Sequence, residues 1–169
     1  MPIKIIKQIP KSILLTPKVP SIAVVGLMLA QFVVFNIFNT PEPSCTFRVE
    51  RPHHSTSIKE TQNIHAIKLN ITSKCSAPQE YTRITARIQK LENNREVTVS
   101  TFLSRAANST AKVPTEANFK NLFTKCKFGV ESSYKGSAEG FVILKGGKEV
   151  KVSGNSGKYE PENCSIGAE

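Results

Sequence analysis

Residues 21–38 read SIAVVGLMLAQFVVFNIF, eighteen positions without a charge. As a helix rising about 1.5 Å per residue, this run is about 27 Å long, close to the ~30 Å hydrocarbon core of a bilayer. A helix packed on a soluble core keeps a polar face, and here only Gln31 and Asn36 are strongly polar. The pattern predicts one transmembrane helix over 21–38. Farther along, the period changes to two. In HAIKLNITSKC, Ile67, Leu69 and Ile71 alternate with Lys68, Asn70 and Thr72, and in EVTVSTF, Val97 and Val99 alternate with Thr98 and Ser100. Such alternation predicts half-buried strands. GFVILKGGKEVKVSG sets two β-rich runs around Gly146-Gly147, a hairpin signal, and CTFRVE reads as a further strand.

One stretch fits two periods. In YTRITARIQKL, Tyr81, Ile84, Ile88 and Leu91 stand at helical spacing, whereas Ile84, Ala86 and Ile88 fit a strand. The Asn93-Asn94 pair ahead of the alternation at Val97 is a hairpin turn signal, which favours the strand. Residues 104–117, SRAANSTAKVPTEA, are small and polar and read as a long loop. About seven short strands with turns between them predict a mainly β fold, an antiparallel β-sandwich, with an immunoglobulin-like topology left open.

The segments then order themselves along the chain. Residues 1–20 hold Lys4, Lys7, Lys11 and Lys18 and no acid, whereas Glu42, Arg48, Glu50 and Arg51 follow the apolar run in mixed sign. The positive-inside bias makes 1–20 a cytosolic tail and 21–38 an anchor with the C-terminus exported. NTPEPS, 39–44, carries two prolines and is a linker, leaving 45–169 as one exported domain. Cleavage by signal peptidase is the rival reading, and it would release a secreted protein. It needs small residues at positions −3 and −1, and Met28-Leu29-Ala30 offers a large Met instead. Gly26 and Ala30 form a small-xxx-small pair within the span.

Cys45, Cys75, Cys126 and Cys164 all follow the span. An even number in an oxidising compartment predicts two disulfides. Of three connectivities, the sequential one, Cys45–Cys75 with Cys126–Cys164, is preferred. It closes loops of about 30 to 38 residues, each worth roughly 3.5 to 4 kcal/mol in the chain-entropy model. The alternative links Cys75 to Cys126 across two sheets, as in an immunoglobulin domain. Zinc is disfavoured, because neither CxxC nor HxxxH spacing occurs.

The rest of the chemistry is sparse. The chain contains no aspartate, and no GxSxG, HExxH or P-loop pattern. His53 and His54 in RPHHS read as a proline-set loop, and His65 precedes a strand with no third ligand in view. The chain is therefore expected to be no enzyme, with no catalytic residue, cofactor or metal. N-x-Ser/Thr triplets at Asn70, Asn108 and Asn163 are few enough to arise by chance. The formal charge of +10 includes the four cytosolic lysines, leaving +6 outside. Lys120, Lys125, Lys127 and Lys135, with Lys145, Lys148 and Lys151, would draw anionic cell-surface polymers or lipid headgroups. Nucleic acid is not expected as a partner, since the chain has no Trp and few aromatics suited to base stacking.

CTFRVERPHHS, IKLNITSKC and CKFGVESSYKGSAEGFVI, ending in NCS, resemble a group of small exported proteins of unknown function from Gram-positive bacteria. Their pattern is a Cys followed by Pro-His-x-Ser, a second Cys closing a strand, Cys-x-x-Gly followed by Tyr, and a final Cys. The matching positions are Cys45, Pro52, His53, Ser55, Cys75, Cys126, Gly129, Tyr134 and Cys164. The resemblance implies the β fold and the sequential disulfides, and it implies no activity. It departs in the long apolar span, where such proteins carry a signal peptide. The expectation is a membrane-anchored, non-enzymatic envelope protein, an interaction module for an anionic polymer or a protein. The alternative is an accessory subunit of a membrane complex.

Overall fold

The computed structural model describes residues 41–107 and 113–168. The basic tail, the expected span at 21–38 and the triplet at Asn108 lie outside them. Among the described residues no helix is long and apolar enough to cross a membrane. Contacts divide the chain after Glu42, and the fold is that of the unit Pro43–Glu169.

Nine strands and one helix form among the described residues. They are β1 (Cys45–Val49), β2 (His53–His54), α1 (Thr56–Gln62), β3 (Ala66–Cys75), β4 (Gln79–Glu92), β5 (Arg95–Ala107), β6 (Glu116–Lys125), β7 (Lys127–Leu144), β8 (Glu149–Asn155) and β9 (Glu160–Ser165). In one sheet β3 is central, with β1 and β2 on one side and β6 on the other. The second sheet runs β5-β4-β7-β8, and β9 pairs with the first part of β7. Every pairing is antiparallel. One core lies between the two sheets, with Ile67, Leu69 and Ile71 from the first facing Ile84, Ala86, Ile88 and Val142 from the second. This is a mainly antiparallel, two-sheet arrangement, consistent with a β-sandwich.

Burial settles the ambiguous segment as a strand. Ile84, Ala86 and Ile88 are buried in alternation on β4, and both edges of β4 are hydrogen-bonded, to β5 and to β7. A strand flanked on both sides satisfies its backbone polar groups, which outweighs the helical spacing. Asn93 and Asn94 both adopt positive φ, at 49° and 61°, as a tight two-residue hairpin requires. Gly146 and Gly147 turn the β7–β8 hairpin in the same half of φ space.

Three expectations need correction. The expected loop at 104–117 is shorter, because β5 continues through Ala107 and pairs 104–107 with 81–84 of β4, and β6 begins at Glu116. The adjacent strand supplies the hydrogen bonds that the small polar side chains do not advertise. RPHHS is not simply a loop, since His53 and His54 pair with Lys68 and Ile67 of β3. The helix that follows was not predicted. Ser55 caps it by accepting the Ile58 amide at 3.4 Å, Asn63 ends it in the left-handed region, and Ile58 is its single buried side chain. One apolar residue in seven is too little for a periodic signal.

The disulfides join Cys45 to Cys75 and Cys126 to Cys164, the sequential pairs. Cys45 and Cys75 stand directly opposite each other on β1 and β3, and Cys126 lies where β6 passes into β7. No bridge links Cys75 to Cys126, so the inter-sheet disulfide typical of immunoglobulin domains is not formed. Tyr134 on β7 is fully buried beside the second bridge. Its hydroxyl donates to the Cys164 carbonyl at 2.9 Å and accepts the Ile166 amide at 2.7 Å. Farther along the same strand, Gly136 admits Leu69, whose Cδ1 would lie 2.6 Å from an added Cβ. At the β1–β8 side, a Cβ on Gly154 would collide with the Phe47 carbonyl oxygen. The Gln79 side chain ties the β3–β4 connection: its amide donates to Ser73 and Thr115 carbonyls, and its oxygen accepts from Ser73 and Thr82 hydroxyls.

Two outcomes follow for stability. Domains of this size are stable by only ~5–15 kcal/mol, and each loop of about 30 to 38 residues contributes roughly 3.5 to 4 kcal/mol. Reduction of both disulfides should lower the melting temperature by tens of degrees or unfold the domain, as read by calorimetry. Tyr134→Phe leaves one buried acceptor and one buried donor unpaired, costing about 1–3 kcal/mol. It should melt several degrees below the parent chain, and an unchanged melting temperature would show that the hydroxyl does not hold the C-terminal segment.

Candidate functional site

Alternation on four neighbouring strands turns one set of side chains out from the five-stranded sheet. Val142 of β7 and Ile84 of β4 point into the core, so Phe141 and Arg83 point away from it. Register then lines up a transverse row. Arg105 of β5 stands opposite Arg83 of β4, Arg83 opposite Phe141 of β7, and Phe141 opposite Lys151 of β8. Arg83, Arg105 and Lys151 are exposed and Phe141 is half-buried.

Like charges directly opposite on adjacent strands destabilise a sheet. Arg83 and Arg105 are such a pair, and the strain is partly relieved because the Arg105 guanidinium lies over the Tyr81 ring, 4.2 Å from its centroid. The Tyr81 ring meets Phe141 edge-on at 6.2 Å, which holds Phe141 in place beside Arg83. Among the described residues neither Arg83 nor Lys151 has a salt bridge, whereas Arg87, two rows away, is bonded to Glu139 at 2.6 Å. Leu103 beside the row is 76% exposed, the most exposed large apolar side chain described.

Two open depressions flank Phe141. One, of about 400 Å³, is lined by Tyr81, Arg83, Leu103, Ser104, Arg105 and Phe141. The other, of about 390 Å³, is lined by Glu139, Gly140, Phe141, Lys151, Val152 and Ser153. Phe141 is thus a shared wall within a broad trough that runs across the strands. Cations, one apolar ring and open access make a surface suited to holding an extended anionic ligand.

His54 and His65 form a second cluster at the end of the domain near Cys126–Cys164, whereas His53 turns its Nδ1 to the Arg51 carbonyl at 3.1 Å. The His54 and His65 rings meet through Nε2 and Nδ1 at 2.9 Å. Their centroids are 5.1 Å apart, farther than the nitrogens by nearly two ring radii, so the two lone-pair directions run towards each other. That is the geometry of one shared proton, not of two nitrogens converging on a third point. Phe128 packs on both rings, and Glu162 of β9 accepts the His54 amide at 3.2 Å. The His65 carbonyl accepts the Cys126 amide, which ties this cluster to the disulfide. Desolvation, then Lys59 of α1 and His54, lower the His65 pKa below its usual 6.5. Neutral His65 can accept the Nε2–H of His54.

Among the described residues no group of three or more His, Cys or Glu side chains is placed to hold a metal ion. The predicted lysine cluster disperses. Lys120 and Lys125 lie on β6 and Lys127 at the start of β7, with Lys145 and Lys148 in the β7–β8 turn region, while only Lys135 and Lys151 lie on the outer face of the five-stranded sheet. Sequence reasoning passed over Arg83, Arg105, Tyr81 and Phe141. Tyr81, Arg83 and Phe141 are outward positions in their own alternation, Arg105 becomes one only past the bulge in the β4–β5 pairing, and only the register shows that they meet. Comparison with protein-family models, curated proteins and solved structures finds no match to this chain.

Because His65 is easier to protonate in the unfolded chain than in the folded one, its neutral form stabilises the fold fully above about pH 6.5, and that stability is lost as pH falls through the lowered value. Nuclear magnetic resonance titration should place the His65 ring below 6.5, and Lys59→Gln should raise it. A His65 ring titrating at or above 6.5 would contradict the shared-proton arrangement.

Proposed function

We propose that this chain is a membrane-anchored, exported, non-enzymatic interaction module whose β domain docks on anionic polymers of the cell surface. The observation that carries the reading is the transverse row Arg105–Arg83–Phe141–Lys151, in which two cations make no salt bridge among the described residues and stand beside an accessible ring. A folded domain does not hold like charges opposite each other for stability's sake. The two disulfides agree with an oxidising exterior, and the uncharged run at 21–38 behind four lysines supports an anchor with a cytosolic N-terminus. The six-residue linker at 39–44 would then keep the domain close to the membrane, where surface polymers are dense. The resemblance to small exported Gram-positive proteins is part of this proposal, and in them the equivalent span would be a signal peptide. The Gly26–Ala30 pair supports a second reading, in which the span packs against a partner helix and the chain serves a membrane complex.

Protease added to intact cells should remove the domain while sparing a membrane-bound fragment, and release of soluble domain without protease would refute the anchor. In detergent, the full chain should be retained on an immobilised polyanion and elute with salt. The double substitution Arg83→Gln, Arg105→Gln should lower the eluting salt concentration, because removing cations weakens a screened attraction. If that variant elutes with the parent chain, the face is not the docking surface.

A further inference from the structure

We infer that the ligand of this face is an acidic polysaccharide that crosses the strands, with an uncharged sugar ring on Phe141 and an anionic group on each side, at Arg83–Arg105 and at Lys151. The inference rests on the reading of the face as a polyanion site and narrows it. Three features of the face point to this chemistry.

The first is direction. The neighbouring rows each carry a carboxylate, Glu139 on β7 in one row over and Glu149 on β8 opposite Ile143 on the other side. Moving along the strands, an anion therefore meets within two residues, roughly 7 Å, a carboxylate already paired with Arg87 on one side and the Glu149 carboxylate on the other. Moving across them, it meets Arg105, Arg83, Phe141 and Lys151 in turn, and the one carboxylate bordering the two depressions, Glu139, is held by Arg87. A flat anionic bilayer would press on Glu149 as well as the row, whereas a linear chain lying across the strands avoids it.

The second is spacing. Adjacent strands lie about 4.8 Å apart, so Arg83 and Lys151 are separated by about 10 Å with Phe141 midway. A ligand matched to this row places anions at two points and something uncharged between them. A chain charged at every repeat would leave an anion over the phenyl ring, which offers no donor. A polymer that alternates acidic and neutral rings fits the interval.

The third is the ring itself. Phe141 has no polar atom, and its edge contact with Tyr81 leaves a half-buried ring bordering both depressions. Such a surface takes the apolar face of a sugar. Single-stranded nucleic acid needs successive stacking platforms, and the second ring here, Tyr81, is already covered by Arg105. A guanidinium suits a carboxylate, which it can grip through two parallel hydrogen bonds, and Arg83 and Arg105 stand at opposite positions of the β4–β5 pair.

The test uses the full chain in detergent micelles and isothermal titration with two probes. One is an oligosaccharide alternating a uronate with an N-acetylhexosamine, and the other is linear polyphosphate of equal total charge. The oligosaccharide should bind more tightly. Phe141→Leu should weaken it by about 3- to 10-fold, the range of an aromatic contact, and change polyphosphate binding little. Lys151→Gln should weaken both probes, and Lys120→Gln on the other sheet should weaken neither. Amide shifts in the parent chain should follow the row from β5 to β8, an outcome that does not depend on any variant folding. Equal binding of both probes with no effect of Phe141→Leu would overturn the glycan assignment and leave the polyanion reading standing. Preference for anionic vesicles or for oligothymidylate over the oligosaccharide would overturn it as well. Failure of the oligosaccharide and the polyphosphate alike would overturn both readings.

Discussion

The register of β7 governs this domain. Its 18 residues pair first with β9 and then lie between β4 and β8, so three other strands take their places from it. Side chains alternate at a period of two, so a slip of one residue would turn Tyr134, Ala138 and Val142 outwards and bury Lys135 and Phe141. Several independent features hold that register. The hydroxyl of Tyr134 meets the Cys164 carbonyl and the Ile166 amide, the Cys126–Cys164 bridge fixes the strand's start to β9, and Gly136 opens the space that Leu69 fills. Gly140 adds a further restriction, since a Cβ there would collide with the backbone of Arg83.

The candidate site is a by-product of the same register. No single strand carries it: β5 contributes Arg105, β4 contributes Tyr81 and Arg83, β7 contributes Phe141 and β8 contributes Lys151. Packing decides which side of each strand faces solvent, and pairing decides which solvent-facing residues become neighbours. A like-charged pair and a ring then share one row. Stability and the proposed binding draw on opposite faces of the same four strands, so surface substitutions on the row can be made with the core intact.

Much of this was legible in the sequence and some was not. The alternation at Ile67, Leu69 and Ile71 marked β3, and the asparagine and glycine pairs marked two hairpins, because strand burial and turn backbone each restrict residue type locally. α1 was not legible, being held by one cap and one buried Ile58. Neither was the meeting of His54 with His65, eleven residues apart and separated by that helix. The row escaped for a related reason. Arg83 is outward in the strand reading of its own segment, but Arg105 shares its parity with the apolar Val97 and Val99. The β-bulge between Ile88 and Gln89 shifts the pairing of β4 with β5 and turns Arg105 out, and no local pattern encodes that shift. Nearby lysines in sequence suggested a cluster that the fold disperses over two sheets and a turn.

The most direct measurement is the set of cross-strand nuclear Overhauser contacts around Phe141. The account predicts contacts from its backbone to Arg83 on one side and to Lys151 on the other, with Tyr134 and Val142 protected from solvent. Contacts from Arg83 to Gly140 or Val142 as its direct partner would mean a slipped β7, and would dissolve both the core and the proposed binding row.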